Sequence, residues 1–232
     1  MTESLVLALQ LILSGDRDLL EILGLSLYVS VSATVIACAL GFLLGAVLAV
    51  TRFPGRSVCL VTVNALMGLP PVVVGLVVYL YLSRSGPLGF LGLLYTPTAM
   101  IIAQTLLILP IVIALSRQVL EDLALEYRDT FKSFGLSARQ AYTTLAWEGR
   151  FALLTVALAG FGRAIAEVGA VMIVGGNIDH LTRVMTTAIA LETSKGNLPL
   201  ALALGIVLVT IALFVNALLH GVRSSASRYA HV

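Results

Sequence analysis

Two oppositely charged side chains stand where charge is costly. Arg163 and Glu167 lie inside an apolar run, four residues apart. On a helix that spacing puts both on one face, where they can pair. A charge at membrane depth costs about 3 kcal/mol on insertion scales, so it usually faces a partner or a wet path. Two roles fit. Arg163 could line the path of an anion, with Glu167 holding and tempering the guanidinium. Alternatively the pair locks its helix to neighbours or to another subunit, or belongs to a gate. The second role is preferred. A carboxylate in the path repels an anion, and a bare arginine holds one too tightly to release it. Asn177, Thr186 and Thr187 follow the same run and are donors that could meet an arriving anion. Local capping and turn bonds are the more ordinary use of such groups. His180, His220 and His231 show no metal-ligand spacing, so no metal is expected. Cys38 and Cys59 form no CxxC and read as small buried hydrophobes. There is no GxxxxGK[ST], HExxH or GxSxG. Neither a phosphate-cradling loop nor a catalytic nucleophile is therefore expected in this chain.

The elements that must position these residues are set by lipid. Of 232 residues, 59% are hydrophobic and 11% charged, against about a quarter charged in soluble domains. With a mean hydropathy of +1.04, the chain reads as an all-α integral membrane protein in a single domain, residues 1–232. Five stretches are long and apolar enough to span, at about 23–50, 58–82, 96–116, 151–175 and 198–219. Gln104 and Pro110 interrupt the third, and Arg163 and Glu167 sit in the fourth. Pro70 and Pro71 must bend the second, because proline frees backbone carbonyls. That bend could shape a gate or simply be a packing kink, and Pro110 reads the same way. Gly160, Gly162 and Gly169 give the fourth stretch a thin face for close helix packing. Residues 4–15 are too short to span and read as an interfacial helix ending at Gly15. The opening residues carry no positive run, so no cleaved signal peptide is expected.

Lysines and arginines orient the spans. One side holds Arg52, Arg56, Arg117, Arg128, Lys132, Arg139, Arg150, Arg223 and Arg228. The other holds Arg17, Arg84, Arg183 and Lys195. Nine against four places the N-terminus outside and the C-terminus in the cytoplasm. Two lysines and no basic cluster argue against nucleic acid as a partner.

The loop at 117–150 is the anomaly. Residues 121–150 carry 9 of the chain's 26 charged side chains. A helix is expected over residues 121–134, ended by Gly135, since only glycine enters the left-handed conformation cheaply. Ser137 with Gln140 three residues on is a capping-box pattern for a second helix, from Ala138 to about Trp147. Phe131 with Phe134, and Tyr142 with Leu145, give each helix an aromatic or apolar face. Such an elbow suits docking to a soluble partner.

This stretch, "DTFKSFG" then "LSARQAYTTL", resembles the EAA-type coupling loop of ABC-importer permeases. Asp129, Thr130 and Phe131 stand where Glu-Ala-Ala stands, Gly135 matches the glycine, and Leu145 matches the isoleucine. Both alanines are absent, and Glu148 stands where the pattern has proline. Three further stretches are similar to molybdate, tungstate and sulfate permeases. They are "LPPVVVGLVVYLYLSRSGPLG" (residues 69–89), "FGRAIAEVGAVMIVGGNI" (161–178) and "TRVMTTAIALETSKGN" (182–197). With five spans and an outside N-terminus, the likeness is closest to tungstate-type permeases, because molybdate permeases usually add an N-terminal span. The resemblance implies a homodimer with the path on its two-fold axis. It also implies two ATPase subunits that hold ATP and Mg, and an extracytoplasmic tungstate-binding protein. Asp129 to Leu145, including Ser137 and Arg139, would dock on the ATPase with Gly135 as pivot. ATP-driven closure would draw the two elbows together and open the path outward. The alternatives are a molybdate or sulfate permease, and, in a different class, an ATP-independent channel or carrier.

Overall fold

The computed structural model describes residues 2–135 and 137–229, and every extended regular element among them is a helix. Helix α1 (Thr2–Ser14) ends at Gly15, whose φ is +64°. Asp16 caps α2 (Arg17–Val50) by accepting from the Leu19 N–H at 3.1 Å. Its 34 residues reach about 51 Å at about 1.5 Å each, well beyond the roughly 30 Å apolar core of a bilayer. Next come α3 (Arg56–Met67) and α4 (Pro71–Leu82), which meet at 102°. The expected bend is therefore a sharp corner. Pro71 sits in the first turn of α4, where a missing N–H costs nothing.

Helix α5 (Pro97–Glu126) starts from Thr96, whose side chain accepts from the Ala99 N–H. It runs through Gln104 and Pro110 unbroken, so neither interrupts the third span. It also absorbs the start of the charged loop. The single helix expected over residues 121–134 is split at Tyr127, leaving α6 (Arg128–Ser133) as a separate short turn of helix. Then follow α7 (Ala138–Glu148), α8 (Arg150–Ile165), α9 (Gly169–Gly175), α10 (Met185–Lys195) and α11 (Leu198–Tyr229). The fourth apolar run, expected as one continuous helix, is broken between α8 and α9, whose axes differ by 59°.

α2 and α5 form the central pair. Gly41 and Gly45 let them approach: a Cβ on Gly41 would fall 2.6 Å from Val112 Cγ1. The Ser116 hydroxyl uses that closeness to donate to the Gly41 carbonyl at 3.2 Å. α8 lies against both, burying Val156 and Ala164 with Ala33, Ala37, Ile108 and Val112. α4 and α9 form a second close pair, where a Cβ on Gly75 would fall 2.7 Å from Ala170 Cα. α11 carries α1 and α10 on its flank. Three helices, α2, α5 and α11, are long and apolar enough to cross a membrane. The number rises to five if each bent pair is one span.

Candidate functional site

The break between α8 and α9 is where the charged pair sits. Arg163 Nη1 donates to Glu167 Oε2 at 2.6 Å. The two ends differ in exposure: the Glu167 side chain is 3% exposed and that of Arg163 37%. Glu167 also uses Oε1 to accept from the Ala170 N–H at 3.2 Å, capping α9. A broken helix leaves backbone groups that water cannot satisfy in an apolar interior. Here side chains satisfy them. Gln104 of α5 donates to the Ala164 carbonyl at 3.0 Å, and Thr186 donates to the Glu167 carbonyl at 2.7 Å. The carboxylate thus occupies the N-terminus of α9, where an incoming anion would otherwise find free N–H groups.

The two breaks meet. A Cβ on Gly169 would fall 2.9 Å from Val72 Cγ2 and 3.7 Å from Glu167 Oε1. Pro70 and Pro71 therefore begin α4 beside the residues that begin α9. Nothing local to residues 69–89 or 151–175 brings these two corners together; the close α4–α9 packing does. Of the three glycines expected to give a thin face, Gly160 and Gly169 have neighbours within Cβ reach, while Gly162 has none within 4 Å.

The donors after α9 are engaged within the chain. Asn177, at φ +50°, follows the α9 cap at Gly176. Thr187 Oγ1 lies 2.9 Å from Asn177 Oδ1 and 3.0 Å from the Val184 carbonyl, and accepts from the Val184 N–H at 3.2 Å. Thr186 is spent on Glu167, as above. Close by, Glu192 is buried between the Lys195 ammonium at 3.0 Å and the Asn197 amide at 2.9 Å. The Lys195 contact holds its carboxyl below the ordinary carboxylate value. On the exposed loop before α10, His180 Nδ1 is 3.0 Å from Glu21 Oε2 at the start of α2. That contact raises the imidazole above its ordinary value.

The charged loop folds as an elbow. Gly135 has φ +61°, and Ser137 and Gln140 make a full capping box at the start of α7. Leu145 anchors the elbow: it is 1% exposed and packs with Ala46, Leu120 and Leu153. Tyr142 and Phe131 lean on the same cluster, and Phe131 stacks on Tyr127 with centroids 5.8 Å apart. The two phenylalanines read as one face diverge. Phe131 turns inward, while Phe134 is 76% exposed beside Gly135. Trp147 is 66% exposed, with the Arg150 guanidinium 4.7 Å over its ring. Asp129 and Thr130 lie exposed on α6. Arg139 belongs to α7, but its side chain lies outside the described residues, as does His231. At Gly149, α7 turns into α8. A Cβ there would fall 2.9 Å from Leu123 Cδ1, so the small residue lets this corner press on α5.

Residues 41–226 match the family described as binding-protein-dependent transport system inner membrane component. The chain belongs to this family. A probable anion ABC transporter permease protein of Haloferax volcanii is 43% identical, covering 88% of this chain and 91% of that one. A tungstate uptake system permease protein of Peptoclostridium acidaminophilum is 42% identical over 93% of this chain and 95% of its own. A protein of the same description from Campylobacter jejuni is 46% identical over 68% of this chain and 66% of its own.

The permease is thus a transport component of the inner membrane and not an enzyme. Membership implies a separate ATPase and a substrate-binding protein as partners. Among the described residues no three His, Cys, Asp or Glu side chains are grouped to hold a metal ion. Sequence reasoning missed four residues that build the permease's interior. Gln104 ties α5 to the α8 break. Ser26 accepts from the Met185 N–H at 2.7 Å and so fixes the start of α10 to α2. Gly41 and Gly45 set the central pair. Their signals were present: a lone amide in one apolar run, a serine in another, and a GxxxG spacing.

Proposed function

We propose that this chain is the permease subunit of an ATP-driven importer that moves tungstate, or a similar oxyanion, into the cell. It works as a homodimer with two ATPase subunits below it and an extracytoplasmic tungstate-binding protein above. ATP and Mg belong to the ATPase, and this chain needs no cofactor of its own. Each copy crosses the lipid five times, with α3–α4 and α8–α9 as broken spans and α1 at the interface. The N-terminus lies outside and the C-terminus inside, which the lysine and arginine bias supports.

One observation carries the mechanism. The elbow is rooted on a buried leucine yet exposes a phenylalanine and a glycine turn at its tip. A rooted lever with an exposed end transmits force; a mobile loop does not. ATPase closure moves the elbow segment that carries Asp129, Thr130, Phe131, Gly135, Ser137 and Arg139, with Phe131 packed at its root. Leu145 and Gly149 pass that motion to α5 and α8. α8 ends at the Arg163–Glu167 break, which abuts the Pro70–Pro71 corner. The gate lies at these two corners, and Arg163 with Glu167 holds it together rather than binding cargo. Asn177, Thr186 and Thr187 shape its outer end. With the donors and charges already paired, selectivity between oxyanions rests mainly with the binding protein.

The test is cellular uptake of tungstate and molybdate by metal mass spectrometry, in a host lacking its own oxyanion importers. The expected result is uptake only when the permease, ATPase and binding protein are expressed together, with tungstate favoured. Uptake by this chain alone would make it a channel or carrier and overturn the reading. A preference for molybdate or sulfate would move the substrate and leave the architecture standing.

A further inference from the structure

Behind the elbow, between the ends of α2 and α5 and the faces of α6 and α7, lies a cavity of about 430 Å³. Its charged wall is unequal. Arg56 is committed: Nε donates to the Leu48 carbonyl at 2.8 Å and Nη2 to Glu121 at 3.0 Å. Glu121 is also held by Arg117. Arg52 and Arg128 line the same cavity, and among the described residues neither has an ion-pair or hydrogen-bond partner. Glu121 is the sole acidic residue in the wall, and it already has two guanidiniums. The remaining wall is apolar, with Val50, Leu125, Phe131 and Leu145 among it. Two unpartnered guanidiniums over an apolar floor suit an anion that carries hydrocarbon. Arginine favours phosphate, because its planar fork offers paired donors.

The position narrows the source. Arg52 is two residues beyond the end of α2, a helix long and apolar enough to cross a membrane, so the cavity lies past the membrane-crossing stretch, beside the charged loop. Phe53 beside it is exposed. A basic pocket between helix ends at that position is a site for an anionic headgroup. We propose that the cavity binds the phosphate of an anionic phospholipid between Arg52 and Arg128, with the apolar wall taking the adjoining glycerol and upper acyl chain. A lipid seated there would brace the elbow's root without touching the permeation path. A dissolved phosphate-type anion shares the headgroup chemistry but has no use for the apolar wall.

The full-length chain in detergent micelles is titrated with short-chain phosphatidylglycerol, with phosphatidylcholine of the same acyl length, and with inorganic phosphate, using native mass spectrometry. Wild type should bind phosphatidylglycerol at least tenfold more tightly than phosphatidylcholine. Arg52→Gln or Arg128→Gln should each weaken phosphatidylglycerol about fivefold, and the double variant about 30-fold. Arg84→Gln, which lies outside the cavity, should leave the affinity unchanged. The charge-keeping Arg52→Lys/Arg128→Lys variant should retain the lipid preference, which guards against loss through misfolding. Inorganic phosphate that binds with the same arginine dependence while the lipid does not would keep the anion site and overturn the lipid source. Equal binding of both lipids, or a double Gln variant that binds like wild type, would overturn the proposal. So would loss of the lipid as soon as the ATPase subunit docks, which would assign the two arginines to that partner.

Discussion

Replacing Arg163 by alanine should damage the molecule more than replacing both members of its pair. The reason is the asymmetry of burial. Glu167 is 3% exposed and Arg163 is 37% exposed, with 2.6 Å between them. Arg163→Ala leaves a buried carboxylate without its cation. Removing one partner of a buried pair costs about 3–5 kcal/mol. The lower end applies, because the arginine is partly open and its attraction is screened. Arg163→Ala/Glu167→Gln removes the stranded charge. The glutamine carbonyl can still accept from the Ala170 N–H, so only the charge assistance is lost, about 1 kcal/mol. The double variant should therefore recover about 2 kcal/mol, a factor of about 30 in the unfolding equilibrium. Equilibrium unfolding of the purified chain in mixed micelles reads this directly, and accumulation in the membrane should follow the same order. A double variant no more stable than Arg163→Ala would refute the burial argument. So would Arg163→Ala accumulating normally while only anion selectivity changes, which would put the arginine in the path.

Other predictions concern the elbow and the His180–Glu21 contact. Gly135→Ala should cost about 1–2 kcal/mol, from left-handed strain alone, because nothing lies within 4 Å of its Cβ position. Gly135→Pro, with φ locked near −65°, cannot make the turn and should abolish uptake while leaving membrane insertion intact; normal uptake would sink the coupling assignment. Leu145→Ala should destabilise by about 2–5 kcal/mol and uncouple ATP hydrolysis from uptake in the assembled transporter; tight coupling in a folded variant would refute its role as anchor. The Glu21 contact raises His180 above its ordinary 6.5. Its contribution is therefore full below that value and lost as pH rises through the raised one. Glu21→Gln should shift the imidazole titration, followed by NMR, back toward the ordinary value; an unchanged midpoint would refute the contact.

Much of the architecture was legible because lipid is an undemanding reader. It requires long apolar helices with internal backbone bonds, and their lengths are visible as composition. The elbow was legible for a different reason. Gly135, Ser137 and Gln140 act on their own backbone neighbours, so their effect is local. Where the sequence reading failed, the deciding partner lay far along the chain. The helix expected across residues 121–134 breaks at Tyr127, where the chain leaves α5 to pack Phe131 on the Leu145 cluster. The fourth apolar run looked continuous because nothing in residues 151–175 is a strong helix breaker. It breaks because Gln104 and Thr186, 60 and 19 residues from the carbonyls they serve, satisfy the groups that a break exposes.

By itself, the sequence determined that this chain lives in a membrane, that its charged loop is a capped elbow, and that Arg163 and Glu167 can pair on one helix face. Only the tertiary structure decided which of the two is buried, that the two bent helix pairs abut, and that Arg52 and Arg128 face a cavity while Arg56 and Arg117 are spent on Glu121. The physical reason is range. Hydropathy, caps and i,i+4 pairs act over a few residues, whereas burial and the satisfaction of broken backbone depend on which distant helix lies alongside.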